Sequence, residues 1–377
     1  MKPRPILDCT PLNADCLKDL QPNLSCGAEN DNGRGTDESA LESSFLRSSL
    51  NRIAALLRTA VKKCDLDLNG LNVLTEAATG GYAVTPILAA MANASHVYAI
   101  TRSTRFGTVE DVIKETTALA KFCGVEDRIH IVTEKTRDLI SSCDLVTNSG
   151  HVRPLDAEFV SWMKPSAVIS LMYETWEIRP EDIDIEACRR RGIPIAGVNE
   201  THPAVDVFSY LPMLAAKQLF DAGIPVLHTR ILLLCDNPFE PYLRRGLADM
   251  GAEIDSFADL TSVPSTHRQY DAVLVSMTPG KSPAISQAEA RLLNDRWPGI
   301  VVIQFYGDIN RSALAELGVQ FWPLKSPPSG HMGVYLTDVG PDVVVRLQTG
   351  GLKVGEVLSR GLANASAAER DYVQPFR

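Results

Sequence analysis

The sequence lacks any Cys-x-x-Cys pair, any apolar run long enough to cross a bilayer, and any surplus of basic charge. Its eight cysteines, at 9, 16, 26, 64, 123, 143, 188 and 235, are dispersed through a large chain, which reads as reduced, mostly buried thiol. The spacing of Cys9, Cys16 and Cys26 matches no metal or cluster motif. A net charge of −9 leaves no general footprint for nucleic acid or an anionic membrane. With no membrane span and no signal-peptide pattern at the start, a cytoplasmic protein is expected. Zinc-site, nucleophile-elbow and Walker-loop patterns are missing too. What is present, 377 residues with 45% apolar and 22% charged, suits two globular domains that each hold a core.

The stretch Asn72 to Arg105 organises the rest. It reads as a strand (Val73–Leu74), a small-residue turn from Ala77 to Gly81, a helix, and a second strand over His96 to Thr101. That is half of a nucleotide-binding α/β unit. Thr79, Gly80, Gly81 and Tyr82 form the turn, where glycine lets backbone N–H groups approach a phosphate at the start of a helix. The turn is not a full G-x-G-x-x-G. The second strand runs into Thr101-Arg102-Ser103-Thr104-Arg105, the place where a dinucleotide's ribose is read. An acid there suits a free 2′-hydroxyl, whereas Arg with Ser and Thr suits a 2′-phosphate. NADP is therefore expected ahead of NAD, with Thr101, Arg102, Ser103 and Arg105 as its contacts.

Residues 1–38 are polar and irregular and are read as an arm, followed over 39–70 by a helix whose apolar residues recur at helical spacing. From 71 to 224 strands alternate with helices, which implies a parallel sheet covered on both faces. At Arg230 the pattern begins again, so 225–377 is read as a second domain ending in a C-terminal helix. The halves align: Asp144-Leu-Val-Thr-Asn-Ser with Asp271-Ala-Val-Leu-Val-Ser, and Ala167-Val-Ile-Ser-Leu-Met-Tyr with Ile300-Val-Val-Ile-Gln-Phe-Tyr. Ile183 through Gly192 likewise answers Ile309 through Gly318. This is an internal repeat of domain size, and the fold expected is α/β with two tandem Rossmann/flavodoxin-like parallel-sheet domains. The arm and first helix make a homodimer the default assembly.

The repeat carries two histidines. Glu200-Thr-His202-Pro-Ala-Val answers Ser329-Gly-His331-Met-Gly-Val, and fifteen residues after each His comes Lys217 or Arg346. Both histidines are expected in loops before helices, beside a cleft between the domains, as proton-exchanging groups. A loop or helix-cap role is the competing reading for each. Tyr173 and Glu174 follow the strand at 167–172, at the carboxyl edge where open sheets bind ligands, and are candidate acid or base groups. Asn148 and Ser149 follow the strand at 144–148 and are candidate contacts to the ribose of a nicotinamide.

Three segments resemble the D-2-hydroxyacid dehydrogenase family. Met163-Lys-Pro-Ser-Ala-Val-Ile-Ser is similar to that family's Lys-Pro-Gly-Ala lead-in to a strand. Ser326-Pro-Pro-Ser-Gly-His331-Met-Gly is similar to its late Pro-His-Ile-Gly segment. Cys188-Arg-Arg-Arg-Gly-Ile-Pro resembles its element ending in Gly-Ile-Pro-Val. The resemblance implies a dinucleotide-binding domain paired with a flavodoxin-like one, and a general-acid role for His331. In the family the glycine fingerprint lies between the two halves, whereas here the glycine turn comes first. Met172-Tyr173-Glu174 stands where the family's catalytic Arg follows the strand, so the carboxylate-clamping cation is unassigned. The expected activity is an NAD(P)-dependent oxidoreductase acting on a small polar or carboxylate-bearing metabolite. Two rivals stand beside it. One is a non-catalytic protein that binds a metabolite or partner through paired domains. The other is an S-adenosylmethionine-dependent methyltransferase, suggested by the small-residue turn and by Gly124-Val-Glu-Asp-Arg-Ile-His-Ile-Val.

Overall fold

Short apolar runs bounded by polar caps make the strands of this protein, and amphipathic segments with capping residues make its helices. The structure, a computed structural model, describes residues 35–265 and 268–376, with residues 35–47 described in backbone only. The expected arm with Cys9, Cys16 and Cys26 lies outside the described residues, apart from its last positions. Those are helical, because the first helix already begins at Gly35.

In chain order the first part holds α1 (Gly35–Lys63), β1 (Asn72–Glu76), α2 (Val84–Met91), β2 (His96–Ile100), α3 (Val109–Cys123), β3 (Ile129–Val132), α4 (Arg137–Ser142), β4 (Leu145–Thr147), α5 (Ala157–Trp162), β5 (Val168–Ser170), α6 (Ile185–Arg191) and β6 (Ile195–Val198). The second holds α7 (Leu211–Asp221), β7 (Arg230–Cys235), α8 (Glu240–Asp249), β8 (Glu253–Phe257), β9 (Ala272–Ser276), α9 (Gln287–Arg296), β10 (Val301–Tyr306), α10 (Arg311–Glu316) and β11 (Gln320–Trp322). The chain closes with α11 (Asp342–Arg360), α12 (Ala367–Arg370) and β12 (Val373–Pro375).

Two compact units result: residues 1–199 with 347–377, and residues 200–346. The division differs from the expected boundary at 224/225 at both ends, for visible reasons. α7 packs on α8 and β10, and its Gln218 Nε2 donates to Gln304 O and Gly333 O at 3.2 and 2.8 Å. At the other end, β12 pairs antiparallel with β6. The buried Lys353 of α11 donates to Asp65 O at 2.6 Å, and buried Glu356 accepts from Asp67 N at 3.0 Å. The C-terminal helix thus belongs mostly with the first sheet rather than the second.

The first unit's sheet runs β12-β6-β5-β4-β1-β2-β3. Counting its parallel strands, this is the order 3-2-1-4-5-6 of a doubly wound nucleotide-binding fold, with β12 added at the edge. The second sheet runs β11-β10-β9-β7-β8, all parallel. Counted from its own first strand, that is 2-1-3-4-5, the flavodoxin-like order. Leaving β3 aside, the two orders coincide strand for strand, and β4, β5, α6 and β6 match β9, β10, α10 and β11 as the sequence repeat expects.

The repeat extends to single hydrogen bonds. Asp144 Oδ2 accepts from Asn72 N at 2.9 Å, and Asp271 Oδ2 accepts from Arg230 N at 2.7 Å. Asp184 caps α6 through Ala187 N, and Asn310 caps α10 through Ala313 N. The bridge Leu155↔Ile183 in the first unit has its counterpart in Ile285↔Ile309. The family resemblance puts the dinucleotide-type domain between two parts of the other; in this chain it comes first.

Gly333 sets a tight passage in the second unit. A Cβ there would lie 1.9 Å from Gln304 O, a main-chain atom that cannot swing away. Gly333→Ala is therefore expected to destabilise the protein by about 1–3 kcal/mol or more, seen as a lower urea midpoint with the m-value kept. An unchanged midpoint would show that the loop relaxes freely.

Candidate functional site at the carboxyl edge of the first sheet

In a sheet of this order the crossovers diverge between β1 and β4, and their carboxyl ends frame a crevice. Val73 and Leu74 pair with Leu145 and Val146, which brings Thr75 beside Thr147. Thr147 Oγ1 donates to Thr75 Oγ1 at 3.0 Å and meets Ser149 Oγ at 2.8 Å. One residue further, Glu76 Oε2 accepts from His151 N at 3.0 Å, so a buried carboxyl closes the base of the crevice.

Polar atoms around this edge are left over. Thr101 Oγ1 after β2, Asn148 Nδ2 after β4, Ser170 Oγ at the end of β5 and His151 Nδ1 are buried with no partner among the described residues. Buried polar atoms are rarely left so, and a cluster of them at a sheet edge marks a place for ligand groups. Asn148 is held firmly, since its Oδ1 accepts from Met172 N at 2.8 Å.

Three cations converge on the same edge. Arg102 follows β2 and is exposed, Lys135 follows β3, and Arg153 follows β4. Lys135 Nζ donates to Pro154 O at 3.3 Å, and Arg153 Nη1 pairs with Asp182 at 2.8 Å. Burial pushes the Glu76 carboxyl above its ordinary pKa, against the pull of the His151 N–H, Arg153 and Arg102. Burial and then the Arg102 charge lower the pKa of His151, which keeps its ring neutral. Lys135 is also lowered, by burial first and Arg102 second. The Arg102 charge is thus felt by three groups on three different strand ends.

The glycine turn is built as expected, with Gly80 at φ 63° and a single helical turn over Gly80–Ala83 leading into α2. Gly80 N already donates to the Glu115 carboxylate of α3 at 3.0 Å. Thr79 Oγ1 is tied to Phe106 O at 3.2 Å, and Tyr82 is half-buried. Ser103 Oγ accepts from Val109 N at 3.2 Å, whereas Arg105 stacks over Phe106 at 4.7 Å. Of that stretch, Thr101, through its unpartnered Oγ1, and Arg102, whose charge reaches Glu76 and His151, address the crevice.

The expected acid and base residues are engaged elsewhere. Tyr173 follows β5, and its phenol donates to Asp182 at 2.9 Å; burial and that carboxylate raise its pKa, so it keeps its proton. Although burial opposes it, Asp182 is held below the usual carboxylate range by Arg153 and Arg179. Glu174 is buried, accepts from Trp176 Nε1 at 2.6 Å and caps the short turn Thr175–Glu177. Both side chains organise the loop after β5. His202 and His331 fall in the second unit. His202 Nδ1 accepts from Ala204 N at 3.1 Å, a capping contact within its own loop. His331, half-buried, has Nδ1 at 3.0 Å from Ser329 O; a carbonyl can only accept, so Nδ1 carries the hydrogen. Ser329 and Gly330 N are bonded in turn to Asp308. The residues that followed the histidines in the repeat have diverged: Lys217 pairs with Asp221 at 2.6 Å, and Arg346 lies 5.7 Å over the Tyr210 ring.

Glu76, Glu115, Lys135 and Arg153 were not singled out by the sequence. An acid ending the first strand, where a fingerprint glycine is usual, was the signal for Glu76. The others depend on strand order, which local pattern does not carry. A separate groove of about 500 Å³, lined by Pro154, Leu155, Ile178, Arg179 and Ile183, does not include Glu76, Arg102 or His151.

No protein-family profile and no curated protein matches the chain. Among solved structures it is similar to a dipicolinate synthase subunit from Bacillus halodurans, at 10% identity and TM-score 0.49 over 79% of this chain and 100% of that one. It is similar to NAD+-bound 3-phosphoglycerate dehydrogenase of Entamoeba histolytica, at 10% identity and TM-score 0.44 over 81% and 99%. The NAD-dependent formate dehydrogenase of Staphylococcus aureus aligns at 14% identity and TM-score 0.41 over 78% and 95%. These likenesses are at low identity, and the fold itself rests on the strand orders above. Among the described residues no helix is long and apolar enough to cross a membrane.

The raised pKa of Glu76 has a signed consequence. Between its unfolded and folded pKa values the native state holds the extra proton, so stability falls as pH rises through that window. Glu76→Gln keeps an acceptor for His151 N and removes the cost of ionisation. It is expected to be at least as stable as the parent at pH 7, with the advantage shrinking towards pH 4 in parallel denaturant titrations. Glu76→Ala strands the N–H and should cost about 1–3 kcal/mol. A Gln variant less stable at pH 7 than at pH 4, relative to the parent, would contradict the assignment.

Proposed function

We propose that the first unit binds the dinucleotide NADP(H) at the β1/β4 crevice and that the chain is an NADP-dependent oxidoreductase. The observation that carries the reading is the meeting, on one sheet edge, of unpartnered Thr101 Oγ1 and Asn148 Nδ2 with the cations Arg102 and Lys135. A nucleotide supplies hydroxyl and phosphate oxygens for such a set, and the 3-2-1-4-5-6 order supplies the crevice. Arg102 and Lys135 would hold the 2′-phosphate, and Asn148 and Ser149 the nicotinamide half. The turn at Gly80 fits an anion, because a carboxylate oxygen of Glu115 already takes its N–H. Glu115 and a pyrophosphate compete for that donor, so binding includes release of Glu115. The bound nicotinamide would supply hydride chemistry.

Thermal shifts with NADPH, NADH and S-adenosylmethionine test the reading. Ligand at about a hundred times its dissociation constant adds about 2.7 kcal/mol. NADPH is expected to stabilise more than NADH, and Arg102→Asp to reverse that order. A shift with S-adenosylmethionine alone would replace the oxidoreductase with a methyltransferase, and silence from all three would favour a protein that binds some other partner. Glu115→Gln removes the competing charge and should tighten NADPH binding by about fivefold, a change of about 1 kcal/mol. Weaker binding would make Glu115 a support of the turn instead.

A further inference from the structure

At the opposite, amino edge of the first sheet, two histidines meet. β2 and β3 are parallel, with Tyr98 in register with His130. Side chains alternate along a strand, so His96, Tyr98 and His130 share one face. His96 Nδ1 lies 3.0 Å from His130 Nε2. The ring centroids of His96 and His130 are 5.2 Å apart, and Tyr98 stacks on His96 at 6.2 Å and lies tilted beside His130 at 5.3 Å. Both histidines are exposed, and β3 is the edge strand. Arg128 Nη1, donating to Ala94 O at 3.1 Å, ties the turn before β3 to the turn before β2. The imidazole pair therefore stands on a fixed frame.

A pair of ring nitrogens at this distance can share one hydrogen or one metal ion. With metal–nitrogen bonds of about 2.0–2.1 Å, nitrogens 3.0 Å apart subtend about 91–97° at the ion, whereas a tetrahedral angle needs about 3.3 Å. A right-angled pair suits tetragonal and octahedral ions over tetrahedral ones. We propose that His96 Nδ1 and His130 Nε2 form a bidentate site for a divalent transition-metal ion of the Ni²⁺ or Cu²⁺ class. Among the described residues no further His, Cys, Asp or Glu completes a three-ligand group. Water or an exogenous donor fills the remaining positions, so the ion is exchangeable. The site is separate from the cofactor crevice: His96 opens β2, and Arg102 lies beyond its far end.

The test is calorimetric titration of NiCl₂ into the full chain after removal of metals by chelator, with His96→Gln, His130→Gln and, as control, His228→Gln. One ion per chain is expected for the parent and the control. Loss of either ring should weaken binding by about a hundredfold, the gain a second tethered ligand provides. No saturable binding in the parent would overturn the proposal. So would binding unchanged in either His96→Gln or His130→Gln, which would put the ion elsewhere.

Discussion

A carboxylate that reaches across the switch point is the interaction on which this molecule's organisation turns. At the end of β1, Glu76 accepts the N–H of His151 after β4. At the end of β7, the first strand of the second sheet, Asp236 accepts the N–H of Thr278 after β9 at 2.7 Å. The two N–H groups stand at equivalent places in the repeats, whereas Asp236 lies two residues further along the chain than the position that matches Glu76. Diverging crossovers leave loop N–H groups without a neighbouring strand, and an acid at the end of the first strand satisfies one of them. The price is a carboxyl taken out of water, full for Glu76 and offset by nearby Arg102 and Arg153.

Local chemistry then separates the two crevices. In the first unit the latch lies among Arg102, Lys135 and Arg153 and beside unpartnered Thr101 and Asn148 atoms, which favours an anionic, hydroxyl-rich ligand. In the second, Asp236 stands with Asn237, whose Nδ2 donates to Ser276 O at 2.8 Å, and the turn has no glycine before Phe239. The two repeats of one scaffold thus differ at this edge, one carrying a glycine turn with cations around it and the other an Asp-Asn-Pro turn. Such divergence is common where a fold is reused, because the sheet fixes positions and the loops fix chemistry.

Most of the architecture was legible in the chain. Gly124 and Gly192 stop α3 and α6 in the left-handed conformation, and the capping box of Thr108 with Asp111 starts α3 where the pattern places it. The repeat was readable down to Asp144 and Asp271. The domain boundaries were not, because α7 and α11 follow one sheet in sequence and pack with the other unit, and no local pattern records where a helix docks. The site was half legible. The glycine turn, Arg102 and Asn148 could be read from position after a strand. Lys135 and Glu115 could not, since their relevance comes from neighbours in space. Tyr173 and Glu174 carried the right chemistry at the right edge, but Asp182 and Trp176, which engage them, belong to a loop whose path the sequence does not state.

Recognition of a 2′-phosphate beside Arg102 and Lys135 is tested most directly without a nicotinamide. Calorimetric affinities of the full chain for adenosine 2′,5′-bisphosphate and for adenosine 5′-monophosphate isolate that one group. A charge-assisted contact to the phosphate is expected to make the bisphosphate bind tighter by about tenfold or more. Equal affinities for the two, or binding of neither, would contradict a 2′-phosphate site at Arg102 and Lys135.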